Sequence, residues 1–98
     1  MNEDRAERVF SALAQETRLR ILGLLASSQT NAMTAGEISE ALDVPQNTLS
    51  FHFSHLEGAE LVTRERKGRY IIYGLNARKV DELILFMAQK LRRDDSKS

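Results

Sequence analysis

The sequence has no cysteine, no tryptophan and one proline in 98 residues. Without cysteine there is no disulfide framework, no thiolate metal site and no thiol redox sensor. No apolar run approaches the ~18 residues that a membrane-crossing helix requires. The opening Met1-Asn2-Glu3-Asp4-Arg5 is charged and leads into a helical pattern, unlike a secretory signal, so the cytoplasm is the expected compartment. Neither sign of charge is in excess, since 14 Lys and Arg balance 14 Asp and Glu. A glycine-rich phosphate loop and a paired His/carboxylate arrangement are also missing, which speaks against an enzyme and against any cofactor. One domain over 1–98 is expected, ordered over about 5–92, with a flexible tail over 93–98.

What is present centres on Val44-Pro45-Gln46-Asn47-Thr48-Leu49-Ser50-Phe51-His52-Phe53-Ser54-His55-Leu56. Leu49, Phe53 and Leu56 fall at helical spacing and make one apolar stripe, which Ala59 continues. The opposite side carries Asn47, Thr48, Phe51, Ser54 and His55, with Gln46 at the start. An ordinary surface helix would carry Glu and Lys there. Short amides and hydroxyls suit a helix lying in a DNA major groove, where they read base edges and touch phosphates without repulsion.

The flanking chain supplies the rest of a motif. Ala6, Val9, Phe10 and Leu13 predict a first helix over Arg5–Ala14, and Leu19, Ile21, Leu22, Leu25 and Ala26 a second. Ser27 to Asn31 reads as a loop. Thr34-Ala35-Gly36-Glu37 is a capping box that opens a third helix with Ile38 and Leu42 on one face. Val44-Pro45 stops it, because the residue before proline is pushed out of the helical region. Two short helices so separated form a helix-turn-helix.

Beyond Gly58-Ala59-Glu60 the period changes from helical to alternating. Leu61–Arg66 and Tyr70–Leu75 flank Lys67-Gly68, a hairpin with its turn glycine. Its tip holds Arg64, Arg66, Lys67 and Arg69 against Glu65 alone, a basic finger suited to phosphate. Asn76 offers an N-cap to a last helix over about Ala77–Arg92. The fold class is mainly α with one β-hairpin: a winged helix-turn-helix of four helices, hairpin and fifth helix.

The last helix points to a second chain. Val80, Leu83, Ile84, Met87 and Leu91 make one apolar face, yet Leu85, Phe86 and Ala88 are apolar too. A domain this small has too little core to cover both sides. A two-fold homodimer through the first and last helices is expected, with Val9, Phe10, Leu83, Leu85, Phe86 and Met87 at the seam.

The order of elements, with Leu13-Ala14-Gln15-Glu16-Thr17-Arg18-Leu19-Arg20-Ile21-Leu22, the Val44–Phe53 stretch and Gly68-Arg69-Tyr70-Ile71-Ile72-Tyr73, resembles the ArsR/SmtB family of bacterial repressors over about residues 5–92. The resemblance implies a homodimeric winged helix that sits on an operator and is released by an effector. The Pro-Gln-Asn-Thr turn is most similar to an arsenite-responsive branch that carries a cysteine pair late in the last helix, where this chain has Lys90-Leu91-Arg92. Other family sensors place cysteines where this chain has Ala32 to Glu37, or Asp, His and Glu along the last helix, where this chain has no His. Arsenite sensing is therefore not carried over, and the effector stays unidentified.

The candidate DNA contacts are Gln46, Asn47, Thr48, Ser50, Phe51, His52, Arg64, Arg66, Lys67 and Arg69. Gln46, Asn47 and Thr48 sit where a helix N-terminus favours phosphate; capping alone is the competing role. Phe51 either touches a thymine methyl or folds onto the wing. His52, which matches a family His, would touch phosphate, and His55 would be solvated or packed. Their spacing suits a metal in principle, but two imidazoles without a third ligand favour no metal site. The partner is double-stranded DNA, an imperfect inverted repeat. A winged helix used for protein contact without DNA is the alternative.

Overall fold

The computed structural model describes the backbone of residues 1–97 and the side chains of residues 1–92. The elements run α1 Glu3–Leu13, α2 Glu16–Ser27, β1 Ala32–Thr34, α3 Ala35–Leu42, α4 Gln46–Gly58, β2 Val62–Lys67, β3 Tyr70–Leu75 and α5 Ala77–Lys97. The tail expected over 93–98 falls outside the described residues, except that the α5 backbone is helical as far as Lys97. No described helix is long and apolar enough to cross a membrane.

Local chemistry explains most boundaries. Asn2 Oδ1 accepts from Arg5 N at 2.9 Å, which starts α1 two residues earlier than the apolar spacing suggested. The capping box forms in full: Thr34 Oγ1 accepts from Glu37 N at 3.1 Å and Glu37 Oε1 accepts from Thr34 N at 2.8 Å. Asn76 both accepts from Lys79 N at the start of α5 and donates to the Glu60 carbonyl at 2.8 Å, which fastens the turn after α4 to the turn after β3.

The expected hairpin is part of a three-stranded antiparallel sheet in the order β1-β3-β2. β1 pairs Ala32 with Gly74, Met33 with Tyr73 and Thr34 with Ile72. Three residues are too few for a visible alternation, so this strand exists because β3 offers it a free edge. The Leu75 N–H extends the pairing by donating to the Asn31 carbonyl at 2.8 Å.

The core lies where α2, α3 and α4 meet the sheet. Ile21, Leu25, Ile38, Leu49 and Leu56 are sealed from solvent. Phe53 stacks on Tyr73 with ring centroids 3.5 Å apart and planes 6° off parallel, so the middle strand is fastened to α4 by one aromatic pair. Complete burial of a side chain such as Phe53 stabilises by about 1.5–3 kcal/mol.

Two of the residues expected at a seam, Val9 and Leu83, lie in the core of the chain itself and leave a partner little surface to cover. Met87 is half-buried and packs on the same cluster. The exposed apolar side chains of α5 are Ile84, Leu85 and Leu91, at 60, 58 and 68% exposure, with Phe10 of α1 at 40%. α5 also projects from the rest. A Cα radius of gyration of 15.1 Å exceeds the roughly 13 Å of a compact chain this long.

Candidate nucleic-acid interface

The turn between α3 and α4 is built from short-range bonds. Asp43 closes α3 in the left-handed region at φ 55°. Val44 N donates to the Ser39 carbonyl at 3.1 Å, and Ser39 Oγ returns a bond to the Val44 carbonyl at 2.6 Å. Pro45, at φ −58° and ψ 146°, then starts α4. The N-cap residue offers this helix no side-chain bond, and among the described residues only the Thr48 N–H of the first turn is taken, by Asn47 Oδ1, so the N–H groups of Gln46 and Asn47 stay open, a favourable site for an anion.

Gln46, Asn47, Thr48, Ser50, Phe51, Ser54 and His55 are all exposed and occupy the outward side of α4. None carries a formal charge with His55 neutral. Several polar groups are held locally. Asn47 Oδ1 accepts from Thr48 N, Ser50 Oγ donates to the Gln46 carbonyl and Ser54 Oγ to the Phe51 carbonyl, at 2.9 to 3.1 Å. Phe51, 57% exposed, does not fold onto the wing. Its ring meets His52 and His55 edge-on, with centroids 5.5 and 4.8 Å away.

His52 is held from inside the fold: at 6% exposure it leaves only a small part of its ring for the phosphate contact expected of it. Its Nδ1 accepts from Arg18 Nε of α2 at 3.2 Å, which places the ring proton on Nε2. Burial, then the Arg18 charge, then His55 hold its pKa below the ordinary imidazole value. The signal was available in the sequence: 49, 52, 53 and 56 together complete a helical apolar face. Arg18, buried beside it, was missed because a lone Arg in a helix reads as solvated.

The wing keeps its expected turn. Gly68, at φ 62°, holds the first central position of a two-residue loop closed by the Lys67–Tyr70 pair, where a positive φ favours glycine. Register divides its bases. Arg64 lies opposite Tyr73 and Arg66 opposite Ile71, so both share the face that packs towards α4. Lys67 lies opposite Tyr70 on the other face with Glu65, whose carboxylate is 3.7 Å from its ammonium. Arg66 Nε donates to the Gly68 carbonyl at 3.1 Å, which stiffens the tip. Arg64, Arg66 and Arg69 make no ion pair among the described residues. Arg69 and Tyr70 line one crevice with Thr34, Gly36 and Gln46, so the wing tip and the start of α4 border the same space.

No group of three or more His, Asp or Glu is placed to hold a metal among the described residues.

A helix-turn-helix domain family matches residues 13–65. The transcriptional repressor SdpR of Bacillus subtilis is 34% identical over 90% of this chain and 94% of its own length. The arsenical resistance operon repressor of the same organism is 36% identical over 80% of this chain and 72% of its own. The chain belongs to the ArsR family of DNA-binding transcriptional regulators. The solution structure of a homodimeric winged helix-turn-helix DNA-binding domain from Mycobacterium bovis, a possible ArsR-family regulator, superposes with a TM-score of 0.72. It is 27% identical and covers 91% of this chain and 81% of that one.

Proposed function

We propose that the protein is a dimeric repressor that sits on an imperfect inverted repeat and leaves it when an effector binds. The observation that carries this reading is the outward side of α4, exposed and free of formal charge, beside a wing whose arginines pair with no carboxylate among the described residues. Gln46, Asn47 and Thr48 would approach bases and phosphate at the open helix start, Ser50 a phosphate, and Phe51 a thymine methyl. Arg64, Arg66 and Arg69 would take phosphate or the minor groove, and Lys67 less so because Glu65 stands beside it.

The homologous domain from Mycobacterium bovis is homodimeric, and the exposed Phe10, Ile84, Leu85 and Leu91 support the same assembly here, with half-buried Phe86 beside them. Two recognition helices would then meet major grooves about one helical turn apart. The reading places the protein in the cytoplasm and gives it no catalytic role. Because the chain lacks cysteine, its effector is not a thiol-bound metal.

Selection of bound duplexes from a random pool, followed by titration against salt, tests the reading. An enriched inverted repeat with a steep negative salt dependence is the expected result. A folded dimer that enriches no sequence would overturn it and leave protein contact as the role of the exposed α4 face.

A further inference from the structure

One guanidinium joins three helices. Arg18, in the first turn of α2, is 6% exposed, and no carboxylate pairs with it among the described residues. A buried cation without an anion is costly, so the groups that do surround it are informative. Its Nε donates to His52 Nδ1 at 3.2 Å, and its Nη1 donates to the Ala12 carbonyl at 3.4 Å. Ala12 belongs to the last turn of α1, where open carbonyls carry partial negative charge. Arg18 Cζ also lies 5.7 Å from the centre of the Phe51 ring, within cation–π range. A helix end, an imidazole lone pair and an aromatic face thus stand in for a counter-ion.

We propose that Arg18 is the positioning residue of α4: through neutral His52 it sets the rotation of this helix and the aim of Phe51, and a proton on His52 releases it. The proposal rests on the reading of α4 as the DNA-contacting helix. Only the neutral ring can accept the bond, because imidazolium carries N–H on both nitrogens. A proton taken from solvent by Nδ1 therefore sets two donors and two positive charges against each other in a buried place. The charged groups that act on His52 are Arg18 from α2 and His55 from its own helix. α1 contributes the Ala12 carbonyl to the cluster, and Arg8 of α1 borders the crevice that His55 lines. α1, α3, β2 and β3, the other elements packed on α4, bring no charged side chain that shifts His52.

The direction follows from linkage. His52 titrates lower in the folded chain than in the unfolded one, so the unfolded chain binds more protons as the solution turns acid. The clamp is complete above the unfolded value of about 6.5 and is lost as pH falls through the lower folded value.

The test measures affinity for the selected duplex against pH at constant salt, in a His55→Asn background so that His52 is the one histidine left. Affinity is expected to fall about tenfold as the pH is taken from above the unfolded value of about 6.5 down through the lower folded value of His52. His52→Asn, whose amide oxygen can accept the Arg18 bond without titrating, should flatten the profile. Arg18→Met should weaken binding at the higher pH and also flatten it. Amide resonances of Phe51 and Ser54 in the free protein should shift with His52 ionisation, and no longer do so in Arg18→Met. An affinity that is level or rises on acidification, or resonances of α4 that ignore His52, overturns the proposal. If no duplex binds, the repressor reading fails, and the amide titration of the free protein still decides whether the clamp exists.

Discussion

α4 and α5 each carry apolar residues beyond the face that the fold covers, and the chain treats them in opposite ways. In α4 the apolar residues at 49, 53 and 56 are covered by the same chain, together with His52, and the outward side is left to polar groups and Phe51. In α5, Leu83 is covered by the same chain while Ile84, Leu85 and Leu91 stand more than half exposed. In the proposed reading the single exposed aromatic among amides is a contact residue, and the three exposed aliphatic side chains on the projecting helix are a surface for a second chain. The difference separates a helix whose apolar stripe its own fold covers from one that leaves apolar side chains in solvent.

Substitutions can break or sharpen this contrast. The largest effect is expected from Phe53→Ala, which removes the Tyr73 stack and leaves a cavity at about 3–5 kcal/mol in urea unfolding. Next, Leu85→Glu should raise the dimer dissociation constant by about a hundredfold or more in sedimentation. The melting of the separated chain should stay unchanged; an unstable monomer would mean that Leu85 belongs to the core after all. On the DNA side, Arg66→Ala should weaken every sequence alike and lower the salt slope by about one. Lys67→Ala should lower it less, because Glu65 already shares its charge, and an equal loss would erase the distinction between the wing's two faces. Phe51→Ala should relax preference at one base position with little change in the salt slope.

The smallest effect is expected at the contact between α1 and α5. Lys90 bonds to Glu3, and that hydrogen bond holds the Glu3 carboxyl below its ordinary range. Its stabilisation is present above the unfolded carboxylate value and is lost as pH falls through the lower folded one. Both groups are exposed, so Glu3→Gln should move the melting midpoint by no more than about a degree near neutral pH.

Much of this was legible before folding. The capping box at Thr34 and Glu37, the stop at Val44-Pro45, the turn at Gly68 and the stripe of Leu49, Phe53 and Leu56 are each decided within a few residues. Such rules leave a local trace because the groups that satisfy one another lie within a turn or two. β1 left none: three residues become a strand only when β3 lies beside them. The wing looked like one basic tip, and pairing with β3 divided it. Alternation implies such a division, but not which face meets α4.

The sequence by itself determined the elements, their order and the polar character of the α4 surface. Periodicity, caps and turn residues act over distances shorter than an element. The tertiary structure alone decided that Val9 and Leu83 lie in the core, and that Ile84 and Leu91 remain outside. It alone brought Arg18 to His52 across 34 positions of chain, making the ring of an expected phosphate ligand the acceptor of a guanidinium bond. The physical reason is common to these cases. Whether a side chain is buried, paired or free depends on which distant segment packs against it, and a helical stripe records only that something must.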